Sequence, residues 1–295
     1  MKLGINYMLI VVLLLQLAAG AAIGIFFQGS VSQYVQIFIT QVFPILLPAL
    51  LYCLFSEKGF QGVARSGKFT IGKVISCITL AISVNILVNL VTQFIVMPLF
   101  SWAFTETGAG AALTLSTAPA TATEYVLDIL FICLMPAVFE EILFRGVTLT
   151  RYEALYGSKK AIFMCAIVFA VMHNSLPALV PQFMIGIFLS YIVIKYDSIY
   201  MGMIAHFTHN LTTLILQTIG KWQSDTLDAF LFGNPLAVVL LAVLLLIASI
   251  LFIHHAGRDV TFQKASVSRA ERRREKLLFQ LIIVVFVVVQ LLVWI

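Results

Sequence analysis

Apolar runs of roughly the length that crosses a bilayer core as a helix, about 20 residues, recur from one end of the chain to the other. By that ruler they occupy 5–27, 33–55, 73–100, 125–147, 160–176, 177–196, 199–219, 234–255 and 277–295. The fifth and sixth are short and separated only by "NSLP", so they read as a broken or tilted pair. The pattern predicts an all-α fold: a polytopic transmembrane helical bundle of eight or nine spans. Three parts follow, namely N-terminal transmembrane helices over 1–124, a core over 125–219, and C-terminal transmembrane helices with a basic loop over 220–295.

Composition strengthens this picture. Of the 295 residues, 61% are hydrophobic and 11% charged, whereas soluble domains are about a quarter charged. With a cytoplasmic N-terminus, nine spans put 56–72, 148–159, 197–198 and 256–276 inside. Of 18 Lys and Arg, only Lys221 then falls outside, the asymmetry that topology selects. The net charge of +5 therefore reports topology and contact with anionic lipid, and does not argue for nucleic acid. We expect an integral, multi-pass protein of the bacterial cytoplasmic membrane, its N-terminus cytoplasmic.

The opening "MKLGINYMLIVVLLLQLAAGAA" has features of a cleavable signal, but apolarity continues to Phe27, so residues 1–21 are expected to stay as part of a first helix. Cys53, Cys77, Cys133 and Cys165 lie within apolar spans and share no metal-ligand spacing; they read as small buried hydrophobes. The Ala/Thr/Gly-rich 101–124 reads as a flexible outer connection, and 257–276 as a basic stop signal on anionic headgroups. The last span looks like a plain lipid-facing helix.

One stretch breaks the apolar rule. "FEEILFRG", Phe139–Gly146, sets three charges at the end of a hydrophobic run, where each costs about 2.5–3.5 kcal/mol at a helix centre unless paired or wetted. Glu141 and Arg145 are four apart and can pair on one face. Glu140 points elsewhere and stays available. Pro136, four before Glu140, removes a backbone hydrogen bond beside the cluster.

Three of five histidines also fall within spans: His173, His206 and His209. His206 and Asn210 share a helical face and can present two donors to one point. Counting along the helices sets Glu140 and His206 at similar depth, but His173 deeper, about 20 Å from Lys160. Peptide hydrolysis needs an activated water, a general acid/base and donors for the oxyanion. Glu140 with His173 suits the first task, and His206 with Asn210 the second. Zinc is the other chemistry open to such residues, with Glu140, His173 and His206 as ligands. Against it, there is no HExxH and the ligands come from separate helices, so no cofactor is expected.

Taken in order, "EEILFR" (Glu140, Glu141, Arg145), "FAVMH" (Phe169, His173) and "HFTHN" (His206, Asn210) resemble the CPBP intramembrane endopeptidases, also known as the Abi family. These comprise the type 2 CAAX prenyl proteases and bacteriocin-immunity homologues. The likeness covers about 125–215, and the motif gaps of 28 and 33 residues look normal for it. It implies that Glu140 and His173 activate water, that His206 and Asn210 form the oxyanion site, and that Glu141 and Arg145 support them. His209 has no role in that scheme and reads as a supporting neighbour. The family was first described as metal-dependent and is now more often treated as a metal-independent glutamate protease. The expected partners are a peptide or membrane-protein substrate, prenylated tails included, and membrane lipid.

Asn85, Asn89 and Gln93 form a polar stripe at i, i+4, i+8, which we read first as interhelical hydrogen bonding and second as substrate contact. Two rival functions fit the charges as well. A proton-coupled transporter would use Asp, Glu and His chains, although no inverted repeat is visible. A non-catalytic immunity or scaffold protein would bind a partner without chemistry.

Overall fold

The structure, a computed structural model, describes residues 4–26, 31–56, 65, 67–100, 119–222, 235–256 and 266–294. Residues 101–118 of the expected outer connection and 257–265 of the basic loop lie outside the described residues.

Within them the chain forms nine helices: α1 (Ile5–Phe26), α2 (Gln33–Phe55), α3 (Ile71–Phe100), α4 (122–156), α5 (Ser158–Val171), α6 (Leu179–Tyr196), α7 (Ile199–Trp222), α8 (Pro235–Ala256) and α9 (Arg269–Trp294). Six are long and apolar enough to cross a membrane: α1, α2, α3, α6, α8 and α9. The protein is an integral, multi-pass membrane protein.

Three helices differ most from the hydropathy reading. Helix α4 begins at 122 and runs on to 156, because "LTRYEALY" continues the helix beyond the apolar stretch until Gly157 stops it. That glycine sits at φ 81, a left-handed conformation that only glycine adopts without cost. Helix α5 is 14 residues long and ends at Val171. At about 1.5 Å per residue it reaches roughly 21 Å, short of the ~30 Å hydrocarbon core. His173 thus lies just past the helix, at the mouth of the "NSLP" break. Helix α9 starts at Arg269, eight residues before the apolar run.

Helix α4 is the hub. It packs against α2, α5, α6, α7 and α9, while α3 braces α7 from behind and α8 covers α3. Prolines shape two of these helices. Pro44 sits within a wide π turn over Val42–Leu46, and another π turn, Ile129–Leu134, ends just before Pro136. Proline cannot give the N–H of an α turn, and the backbone widens locally instead. The outward faces are apolar, as on α8 with Leu244 and Leu251, which suits a lipid solvent.

The start of α4 is fixed by a reciprocal cap. Thr121 Oγ1 accepts from Glu124 N at 3.2 Å, and Glu124 Oε2 accepts from Ala120 N at 2.7 Å. The other end is tied down by Arg65, which pairs with Glu153 at 2.5 Å and donates to Thr150 Oγ1 at 3.2 Å.

The expectation of a plain lipid-facing last helix is corrected. Glu275 and Gln290 of α9 are both buried. Asn6 of α1 donates its backbone N–H to Glu275 Oε2 at 3.0 Å and its side-chain amide to the Glu275 carbonyl at 2.8 Å. One face of α9 therefore closes the bundle, and only the opposite face is left for lipid.

Candidate active site

The charges of "FEEILFRG" separate as their spacing requires. Arg145 Nη1 donates to Glu141 Oε1 at 2.7 Å, with both side chains wholly buried. From α7, His206 Nδ1 meets the same oxygen at 3.0 Å. A carboxylate accepts and does not donate, so Nδ1 carries the proton and Nε2 faces the other way. Glycine permits this approach. Gly202 lies one turn before His206, and a Cβ there would sit 2.8 Å from Glu141 Oε2 and 2.5 Å from Val193 Cγ2.

Phe169 organises the aromatic side of the cluster. It is 1% exposed. Its ring packs edge-on to His173 at 4.7 Å between centroids and to His206 at 6.1 Å, and the Arg145 guanidinium lies 4.3 Å from its centre. One phenyl ring thus holds two motif histidines and the motif arginine at fixed separations. His173 Nδ1 meets the Phe169 carbonyl at 2.7 Å. That nitrogen must donate, which turns Nε2 outwards as an acceptor.

Beyond His173 the backbone turns through Asn174, a non-glycine residue at φ 49. This turn is gripped by Gln290 of α9, whose Oε1 accepts from Leu176 N at 3.1 Å and whose Nε2 donates to the Asn174 carbonyl at 3.0 Å. Sequence reasoning missed Gln290, because a lone glutamine in "VVVQLLV" has no spacing relation to a loop 114 residues earlier.

Asn210 lies one turn after His206. Its Nδ2 donates to the Ile132 carbonyl at 3.3 Å. Ile132 is four residues before Pro136, so its carbonyl is the one that the missing N–H of an α turn would have served. A primary amide has a second N–H, which remains for another acceptor. His209 turns towards α3. Asn85 donates to the His209 carbonyl at 3.1 Å and to Thr213 Oγ1 at 2.7 Å, and Asn89 donates to Asn85 Oδ1 at 3.0 Å. Asn85 and Asn89 thus serve as interhelical hydrogen bonding that anchors α7, while Gln93 is exposed.

Glu140, 8% exposed, faces α2. Its Oε1 accepts from Gln41 Nε2 at 2.8 Å. Gln41 is the second residue that the sequence did not flag, again for want of any spacing signal across 99 positions. The only hint is that it is polar within an apolar span.

Glu141 is committed to Arg145 and His206, and among the described residues no three His, Cys, Asp or Glu side chains gather as a set able to hold an ion.

Residues 122–212 match the family model described as Type II CAAX prenyl endopeptidase Rce1-like. No curated protein and no solved structure matches the chain. The matched segment contains Glu140, Glu141, Arg145, His173, His206 and Asn210, whereas Gln41 and Gln290 reach the cluster from outside it. Over 122–212, then, the chain is similar to the Rce1-like type II CAAX prenyl endopeptidases, a family of peptide hydrolases.

Proposed function

We propose that the protein is an intramembrane endopeptidase in which Glu140 and His173 activate the water that cleaves a peptide bond. The bond lies near the C-terminus of a prenylated or otherwise membrane-associated peptide, at the cytoplasmic face. The observation that carries this reading is the unequal commitment of two adjacent carboxylates. Glu141 is paired with an arginine and hydrogen-bonded by a histidine, while among the described residues Glu140 is met by one neutral amide. A carboxylate without a counter-ion is the one free to take a proton.

The chemistry then runs on the chain's own groups. His173 Nε2 accepts one hydrogen of the water and orients it, and Glu140 removes the other as the water oxygen bonds to the peptide carbon. The carbonyl electron pair moves onto oxygen. The second N–H of Asn210 and Nε2–H of His206, as imidazolium with Glu141 for counter-ion, hold that oxyanion. The intermediate collapses by breaking the C–N bond, and Glu140 passes its proton to the departing amine. Water and peptide have become an acid and an amine, and every side chain is back in its starting state.

In this reading no step uses a metal. Purified protein presented with a peptide library, with and without chelator and with bound-metal analysis, tests it. Cleavage at defined bonds that survives chelation is expected. Stoichiometric zinc together with chelator-sensitive cleavage would overturn the metal-free route, and no cleavage of any peptide, prenylated ones included, would overturn the activity.

A further inference from the structure

Gln41 has one amide, and the site uses half of it. Nε2 donates to Glu140 Oε1 at 2.8 Å. The other atom, Oε1, is buried and has no hydrogen-bond partner among the described residues. Rotating the amide would not relieve this, since it would set an acceptor against the acceptor-only carboxylate. Glu140 therefore decides which way the amide faces and keeps the carbonyl turned from itself, on the same carbon as the nitrogen it holds.

An acceptor buried without a partner costs about 1–3 kcal/mol. Gln16 Oε1 and Asn174 Oδ1 are open in the same way, but of these three amides only Gln41 is hydrogen-bonded to Glu140. Two buried amides do avoid the cost. Gln290 uses its oxygen and its nitrogen on one turn, and Asn85 Oδ1 accepts from Asn89. The open acceptor of Gln41 stands directly beside the carboxylate read as the base, on a helix outside the family segment. It needs a donor, and the donor that an extended peptide repeats at every residue is its backbone N–H.

We propose that Gln41 is a substrate-binding residue. Its Oε1 accepts a backbone N–H of the peptide next to the scissile bond, while Nε2 keeps Glu140 aimed at the water. Register along the peptide is then set partly from α2 by the main chain, independently of side-chain identity. This rests on the reading of Glu140 as the base.

The test uses full-length protein and a peptide that it cleaves, taken from a library, re-synthesised with single backbone N-methyl groups around the cleaved bond. With the wild type, one N-methyl position raises KM about tenfold, the loss of one good hydrogen bond. With Gln41→Met, similar in shape but with neither donor nor acceptor, the unmodified peptide already shows the raised KM, and that N-methyl group adds nothing. Melting of the variant is measured alongside. Equal effects of the N-methyl group on both proteins, or a wild type indifferent to all N-methyl positions, would overturn the proposal. The second result needs no variant to fold. Glu140→Ala is assayed in parallel: an inactive Glu140→Ala with additive N-methyl effects sinks only the role of Gln41, whereas an active Glu140→Ala sinks the reading on which it rests.

Discussion

His206 Nδ1 and Glu141 Oε1 stand 3.0 Å apart in a site where Glu141 has no exposed surface. The same oxygen holds Arg145 at 2.7 Å. Two donors share one carboxylate atom, and this joins α4 to α7 beside the candidate chemistry.

Glu141→Gln keeps the shape of that junction and removes its charge. Arg145 is then buried without a counter-ion, and breaking such a pair costs about 3–5 kcal/mol. Unfolding in detergent should show a loss of that order. Adding Arg145→Met should recover part of it, because the two residues act as one unit. Strict additivity of the two losses would contradict the pairing.

Gly202 sets how closely α7 approaches. Its substitution by Ala places a methyl group 2.8 Å from Glu141 Oε2 and 2.5 Å from Val193. Overpacking of this kind costs about 1–3 kcal/mol. Gly202→Ala should lower both melting temperature and kcat/KM, since the helix that moves away carries His206. A variant with wild-type values for both would show that the contact is slack.

In the proposed scheme Asn210 has two separable tasks, and Pro136 separates them. Asn210→Ala should lower kcat by about 10²–10³, the usual loss for one oxyanion donor. It should also cost stability, because the Ile132 carbonyl loses its donor. Pro136→Ala restores an N–H that can serve that carbonyl. In the Pro136→Ala background the stability loss from Asn210→Ala should shrink, while the catalytic loss persists. If activity returned together with stability, Asn210 would serve the helix alone.

Gln290 reaches the His173 turn from α9. Gln290→Leu removes both of its backbone partners, each worth about 0.5–1.5 kcal/mol. Amide exchange at Leu176 should accelerate and kcat should fall about tenfold with KM little changed, equivalent to about 1.4 kcal/mol. Unchanged exchange at Leu176 would contradict the clamp.

These residues also mark where the sequence was legible. Helices appeared as apolar runs, so α1 and α2 were read almost to the residue. Glu141–Arg145 was legible because both sit on one helix, where spacing fixes distance. The end of α4 was not, since a helix that leaves the apolar layer keeps its hydrogen bonds but loses its hydropathy signal. The break after Val171 was blurred because "MHNSLPAL" is still apolar enough to lengthen the run. Gln41 and Gln290 were invisible for a different reason: each acts across helices, and tertiary juxtaposition leaves no trace in one chain's spacing. Asn85 was half legible, its polarity plain and its partners His209 and Thr213 hidden until α3 met α7.

The reaction scheme depends on Glu140 being the carboxylate that takes the water's proton. Single-turnover cleavage by Glu140→Gln, which keeps the side chain's shape and removes its base, tests that most directly. The predicted result is a rate at least about 10³-fold lower with substrate binding and melting temperature unchanged. A Glu140→Gln protein that cleaves at the wild-type rate would contradict it.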